Sequence, residues 1–463
     1  MGAIRTTFVG FVIALTACSS TTIPTASPRL TATPSPSPVP SPSPTVVPTP
    51  EPTPVAGMGT VARIMVETVQ VAESPGGALS SDVVHAGELV RIIGGPFKIT
   101  GTRWWRVSVA ALDGWVSEGD PAQPNLLDSS AAASRAWNVW SATSNANLQP
   151  SVADLPGRVF VPNEADSTIS VIDAASFKVI ATLGAGKLPE HLTPDWDMSR
   201  LYVSNYASPF LTVVDPRTET VISPISAPSP YNLYFSPDGS TAIVMAEDVN
   251  RIDFYDRRTW KLLGKLPIKW AGIDHADFSA GGRYFVASTE YAPGHLLKVD
   301  VVTMSIVGDL EVGGKPIDVK LSPDGSVFFV TNQGRHGVSV VDPMLMKEIA
   351  FIPTAKGAHG MAISRDTRSL YVSNRLAGTI SVIDFATRTV TATWQVGGSP
   401  DMLQVSPDGS QLWTGNRYNN TVVVFDTTTG TLVATIIVGR QPHGLTYFPQ
   451  PGRFSIGHNG VYR

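Results

Sequence analysis

Four of the eight histidines in this 463-residue chain fall at one interval: His191, His275, His359 and His443 are each 84 residues apart. Acids stand beside them or in the matching place between them, Glu190 before His191, Asp274 before His275, then Asp318 and Asp401. Imidazole and carboxylate side chains together suit Zn2+, Cu2+ or iron, which makes the four histidines candidate metal ligands. Arginines recur as well, Arg335, Arg375 and Arg417, in "NQGRHG", "NRLAG" and "NRYNN". With Glu190, Asp274, Asp318 and Asp401 they form a candidate ligand-binding set. Other chemistry is missing. There is no GxSxG elbow and no P-loop, and Cys18 is the single cysteine. The chain has no CxxCH haem-attachment motif, which excludes a covalent c-type haem.

The interval reflects a repeat of half its length. Aspartates that close strands such as "SVID" stand at Asp173, Asp215, Asp256, Asp300, Asp342, Asp384 and Asp426, separated by 42, 41, 44, 42, 42 and 42 residues. That period, filled with β-branched segments, fits four strands per blade of a propeller. "SPDG" at 236–239, 322–325 and 406–409 reverses the chain, Asp supplying a side-chain acceptor and Gly a positive φ. "DPRT", "DRRT", "DVVT", "DFAT" and "DTTT" place Asp first in a turn and Thr three residues later. The first copy, "GRVFVPNEADSTISVID", lacks an inner strand, whereas "QPHGLTYF" at 441–448 is a strand without a blade. Pairing them closes a seven-bladed ring and removes two open sheet edges. The tail "RFSIGHNGVYR" either caps a face or begins an eighth, partial blade. These copies, with "LYVSN" at 201–205 and 370–374, resemble YVTN-family propeller repeats. The resemblance spans 153–463 and implies a fold, not an activity.

In such a ring each inner strand starts at one mouth of the central channel, beside the loops that join second and third strands. The starts read Glu190 and His191, Asn232, Asp274 and His275, Asp318, His359, Asp401 and His443. The loops add Glu164, Tyr206, Glu247, Glu290, Arg335, His336, Arg375 and Arg417. Against the turn motif, His191 and His275 hold one register and His359 and His443 the next. Adjacent strand residues point to opposite faces, so the four histidines are not expected to converge. Three uses of the mouth stay open: polar groups that are merely solvated, recognition of a peptide, glycan or protein, and a metal, haem or catalytic site. "HADFSAGGRYFVAS" and "GAHGMAISRDTRSLYVSN" are similar to the haem-binding propeller of cytochrome-type nitrite reductases and their maturation relatives, which implies a non-covalent haem for the third use.

Upstream, "MGAIRTTFVGFVIALTACSS" sets Arg5 before a short apolar run and then small residues, the layout of a signal peptide. "LTAC" at 15–18 resembles the lipobox of bacterial lipoproteins, implying cleavage after residue 17 and acylation of Cys18. Residues 18–57 are nearly all Pro, Ser, Thr and Val, a polyproline stalk with a reach on the order of 100 Å. From 58 to 123, Trp104, Trp105 and Val107 followed by Gly114, Trp115 and Val116 resemble the closing signature of bacterial SH3-like domains. The resemblance implies a small barrel that binds cell-wall peptide, although Gln70 and Ala72 replace that family's polar and basic ligand residues. The three tryptophans are expected in the barrel core. Residues 124–152 form a polar linker whose Trp137 and Trp140 pack on a neighbouring domain, and 153–463 the propeller. A net charge of −4 argues against a general electrostatic grip on nucleic acid. The reading is an all-β protein: an extracytoplasmic, lipid-anchored, non-catalytic binding protein with an SH3-like barrel and a seven-bladed propeller whose mouth takes a peptide, glycan or protein. The alternative is a metal- or haem-dependent oxidoreductase or cofactor-handling protein using the histidines.

Overall fold

Strands at different depths of a blade carry different patterns, and the packing explains why. Thr379–Asp384, the third strand of its blade, reads TISVID and is buried almost throughout, whereas its outer neighbour Thr389–Gln395 reads TVTATWQ and alternates exposed with half-buried residues. Inner strands are covered on both faces by adjoining blades, so apolar residues run through them. The outermost strand is covered on one face only and keeps the period-two alternation.

The computed structural model describes Val55 and residues 57–463 apart from Asn145. The expected signal peptide, Cys18 and nearly all of the stalk lie outside the described residues. Seven four-stranded antiparallel blades surround a channel. Blades 2 to 7 use consecutive strands and start at Pro189, Pro230, Ile273, Pro316, Ala358 and Pro400. Blade 1 takes its inner strand from Thr446–Phe448, which pairs antiparallel with Arg158–Asn163, Arg158 facing Phe448 and Phe160 facing Thr446. His443 N–H donates to Pro162 O at 3.1 Å just before this strand. The turns behave as their sequences predict. Ser236 Oγ donates to Asp238, and Gly239 N–H donates to Ser236 O at 2.8 Å with φ +69°. Asp256 Oδ1 accepts from Thr259 N–H and Oγ1–H at 2.8 and 2.7 Å.

The tail starts no eighth blade; it enters the channel from the SPDG side and closes it there. Ser455–Gly457 adds to the inner edge of blade 3, Gly457 opposite Tyr234, and Val461–Tyr462 folds back on it as a hairpin inside the channel. A Cβ at residue 457 would lie 2.7 Å from Tyr234 Cα, so only glycine permits this approach. The hairpin rises from the SPDG side, where Arg463 donates to Phe278 O and Ser279 O, and turns at His458-Asn459-Gly460 with positive φ at all three.

Residues 61–128 form a seven-stranded antiparallel sheet whose edge strands are Leu79–His85 and Leu126–Asp128. The last of these continues the sheet past residue 123 into the expected linker. Trp105 is buried, while Trp104 and Trp115 are half-buried. The sheet sits on the SPDG side of the ring. Arg63 Nη2 donates to Asp324 O at 2.6 Å, Ser279 Oγ donates to Glu88 Oε2 at 2.7 Å, and Trp140 Nε1 donates to Leu321 O at 3.2 Å. Its core joins that of the blades, Val90 and Ile92 in one apolar cluster with Trp140, Tyr284 and Leu321.

Candidate binding site in the propeller channel

Each inner strand from blade 2 to blade 7 carries an extra residue at its start. In blade 2, Pro189 faces Asn205 and Leu192 faces Val203, so three steps on one strand match two on the other. Blades 4, 5, 6 and 7 repeat this between Ile273 and Ala276, Pro316 and Val319, Ala358 and Met361, and Pro400 and Leu403. A hydroxyl residue on the second strand bonds the bulge: Ser288 Oγ accepts from His275 N–H, Thr331 Oγ1 from Asp318 N–H and Ser373 Oγ from Gly360 N–H, at 3.2, 2.9 and 2.8 Å. This is a use for the Ser or Thr of "VSN" and "VTN". A bulge suspends the in-out alternation of a strand. Both registers therefore face the channel, and the four histidines fall into the two groups that their registers separate, His191 and His275 with His458, His359 and His443 with Asp401. Ring centroids of His191 and His275 are 5.0 Å apart, His191 and His443 4.7 Å, and His359 and His443 6.4 Å.

The histidines divide by partner. Asp401 is fully buried at the centre of a charged network: His359 Nε2 lies 3.0 Å from it, Arg375 Nη2 3.1 Å, Arg417 Nη1 3.5 Å and His443 Nε2 3.6 Å. Arg417 also pairs with Glu164, and His443 Nδ1 lies 2.8 Å from Glu190. Burial opposes charge on Asp401, yet Arg375, His443 and His359 hold it well below the usual carboxylate range. Burial also opposes charge on His443, but Asp401 and Glu190 raise it above an ordinary imidazole. His359 goes the other way, pushed down to about 3 by burial and by Arg375. Above this network lies a cavity of about 210 Å³. Arg375, Arg417, His359 and His443 line one side. Glu190, Glu247, Glu290 and the phenols of Tyr206, Tyr231 and Tyr291 line the rest, with Lys315 bound to Glu290 at 2.9 Å. Burial and the Asp274 and Glu290 carboxylates push Glu247 up to about 9.

Beneath the cavity floor His191 and His275 meet a third ring, His458 from the tail hairpin, with centroids 5.1 Å from His191 and 4.4 Å from His275. His191 Nδ1–H donates to Asn459 Oδ1 at 3.2 Å and His458 Nδ1–H to Asn232 Oδ1 at 3.0 Å. His191 Nε2 and both ring nitrogens of His275 are buried without a hydrogen-bond partner. Burial first, then the neighbouring imidazoles, holds His191 and His458 well below their usual range. His275 is driven down to about 4, mainly by burial. Asp274 adjoins His275 Nδ1 without hydrogen-bond alignment, and burial followed by Glu290 raises it well above a normal carboxyl. Asp318 is also buried, 2.8 Å from Lys320 Nζ and 3.7 Å from His458 Nε2.

Of the expected ligand-binding set, Glu190, Arg375 and Arg417 line the mouth, and Asp274, Asp318 and Asp401 lie buried beneath it. Arg335 does not join them. Its guanidinium pairs with Glu348 at 2.6 and 2.9 Å and stacks over Phe351, 4.2 Å from the ring centroid, at the outer strand of blade 5. Gln333 of the same loop reaches inward instead, 3.1 Å from His359 Nδ1. Sequence reasoning also passed over Tyr231, Lys315 and His458. Tyr231 occupies the place of Glu190 and Asp274 in its own repeat, and that alignment marks it. Nothing periodic marks His458, which lies outside the repeats.

Fold and site together define a seven-bladed propeller with a polar, histidine-lined channel closed from below by its own C-terminus. The chain belongs to the YNCE-like beta-propeller family, which matches residues 124–451. Comparison with curated proteins gives no match. Among solved structures the chain is similar to Kuenenia stuttgartiensis Hydrazine Synthase, with 21% identity and TM-score 0.54 over 60% of this chain and 98% of that one. It is also similar to the dihydro-heme d1 dehydrogenase NirN in complex with DHE, with 17% identity and TM-score 0.50 over 62% and 74%. A functionally unknown protein from Desulfotomaculum acetoxidans matches with 16% identity and TM-score 0.55 over 64% and 99%. At these identities the likeness is one of fold. The tail hairpin fills the channel below the mouth cavity.

Proposed function

We infer that this is a lipid-anchored binding protein of the cell envelope whose propeller mouth takes one small polar unit of a peptide or glycan. The supporting observation is the polarity of the cavity, with Arg375 and Arg417 on one side and Glu190, Glu247, Glu290 and three phenols on the other. Such a lining suits a ligand that presents a carboxylate to the guanidinium side and hydroxyl or ammonium groups to the acidic side. Acylation of Cys18 and the stalk hold the protein at the membrane, and the 61–128 sheet serves as an SH3-like module for cell-wall peptide. The module lies on the face of the ring opposite the mouth, so the two surfaces work independently.

The test is calorimetric titration of the full chain with a panel of carboxylate-bearing amino sugars and short peptides. Saturable binding that Arg375→Gln weakens about 10- to 100-fold is expected, since a hydrogen bond to a charged group contributes roughly 1.5–3 kcal/mol. Failure of every panel member to bind, or indifference to R375Q, defeats the reading. Cys18→Ser should move the protein from the membrane fraction to the soluble one.

A further inference from the structure

We propose that His191, His275 and His458 form a site for one divalent transition-metal ion, Zn2+ or Cu2+, completed by the C-terminal hairpin. This goes beyond the mouth-ligand reading and stands on different residues. One donor atom from each ring lies within 4.8 Å of the others, and all three side chains are buried. The second nitrogens are arranged as metal-bound histidines require. Asn459 and Asn232 accept from Nδ1–H of His191 and His458, which fixes each tautomer and leaves Nε2 with its lone pair free.

Two further observations point to a cation. His191 Nε2 and His275 Nε2 are buried with no hydrogen-bond partner, and Asp274 adjoins His275 Nδ1 with its second carboxyl oxygen, Oδ2, also buried and without a hydrogen bond. Buried polar atoms are rarely left so unless an ion or water satisfies them. The other imidazole group of the channel behaves differently. His359, Asp401 and His443 also stand within metal-binding reach of one another, but Arg375 and Arg417 already supply the positive charge there and repel an added cation. The lower cluster has no guanidinium; its one neighbouring cation, Lys320, is tied to Asp318 at 2.8 Å, and Asp274 adds a second carboxyl beside His275.

The hairpin is built to deliver its histidine. His458 has φ +33°, uncommon for a residue with a side chain, between Gly457 at +105° and Asn459 at +48°. Gly444 clears the space for it: a Cβ there would lie 2.8 Å from His191 Nδ1 and would also strike Asn459 Oδ1. Three protein donors leave a tetrahedral ion one coordination position for an exchangeable ligand.

The experiment uses the full chain stripped with a chelator. Zn2+ affinity is measured by competition with a chromophoric chelator, and Cu2+ loading by electron paramagnetic resonance. One equivalent is expected, with imidazole nitrogen splitting in the Cu2+ spectrum. His275→Gln and His458→Gln should each weaken Zn2+ binding more than about 100-fold, and Asn232→Ala about 10- to 100-fold, the usual loss when an orienting partner is removed. His359→Gln should leave it within about threefold. Circular dichroism and melting check the fold, and if H275Q or H458Q unfolds, the wild-type Cu2+ spectrum decides. No stoichiometric ion, an all-oxygen Cu2+ spectrum, or wild-type affinity in folded H275Q and H458Q overturns the site. Loss of Zn2+ on H359Q alone would assign the ion to the upper group and equally overturn it. Ligand capture and its R375Q dependence are read separately, so either proposal can fail without the other.

Discussion

Asp401 shows how much one side chain organises at the mouth. It is fully buried and faces two guanidiniums and two imidazoles. A buried charge is tolerated only while its partners remain, and removing one partner costs about 3–5 kcal/mol because the others are left uncompensated. Asp401→Asn is therefore expected to lower unfolding free energy by about that amount in urea denaturation. Arg375→Gln, whose side chain is partly exposed, should cost less. At this scale the residues and their division into two pairs were legible in the sequence, since the register set His191 and His275 apart from His359 and His443; the structure gives the first pair to His458 and the second to Asp401. The partners were not legible. Partner choice depends on what the next blade places opposite, which spacing along a chain does not record.

At the scale of elements, the bulge and the closing strand carry the architecture. The hydroxyl at the bulge bonds a backbone N–H that has no ladder partner, so Ser288→Ala should cost about 1–3 kcal/mol by leaving His275 N–H unpaired, read as a shift in urea midpoint. Phe448 anchors the closure with 1% of its surface exposed. Phe448→Ala is expected to cost about 3–5 kcal/mol and to speed hydrogen exchange in Arg158–Asn163 before the other blades, because that strand loses its inner partner. The closure was readable because a missing strand at one end and a surplus strand at the other leave one economical pairing. The bulges were not. A bulge adds a residue to one strand relative to its partner, and a repeat that carries the extra residue in every copy shows no irregularity in its spacing. For that reason the two histidine registers, expected on opposite faces, both face the channel.

The two faces of the ring differ. Its mouth is polar and open, and its SPDG face is covered by the 61–128 sheet, with Glu88 at the join. Burial raises the Glu88 carboxyl above its ordinary value despite hydrogen bonds from Ser279 Oγ and Arg283 N–H. The folded state thus holds this proton more tightly than the unfolded chain. Stability from that proton is complete below the unfolded carboxyl range and is lost as pH rises through the raised folded value. Glu88→Gln should match the wild type at acid pH and exceed it increasingly as pH rises, in melting temperatures taken from pH 4 to 9. A wild type and variant with parallel pH profiles would show that Glu88 does not titrate at the join.

The sequence by itself determined the class of fold, the number of blades, the turn chemistry and the closing pair, because each follows from local propensity repeated at a constant period. It also brought most of the mouth residues to notice, since inner-strand starts recur in every copy. Only the tertiary structure decided where the tail goes and which partners the two histidine pairs meet. Residues 453–463 lie outside the periodic pattern, and their place in the channel rests on contacts with blade 3 and blade 4, more than 180 positions earlier in the chain. Convergence of side chains from separate blades is set by ring closure and by the bulges, and neither is a property of any short stretch of sequence.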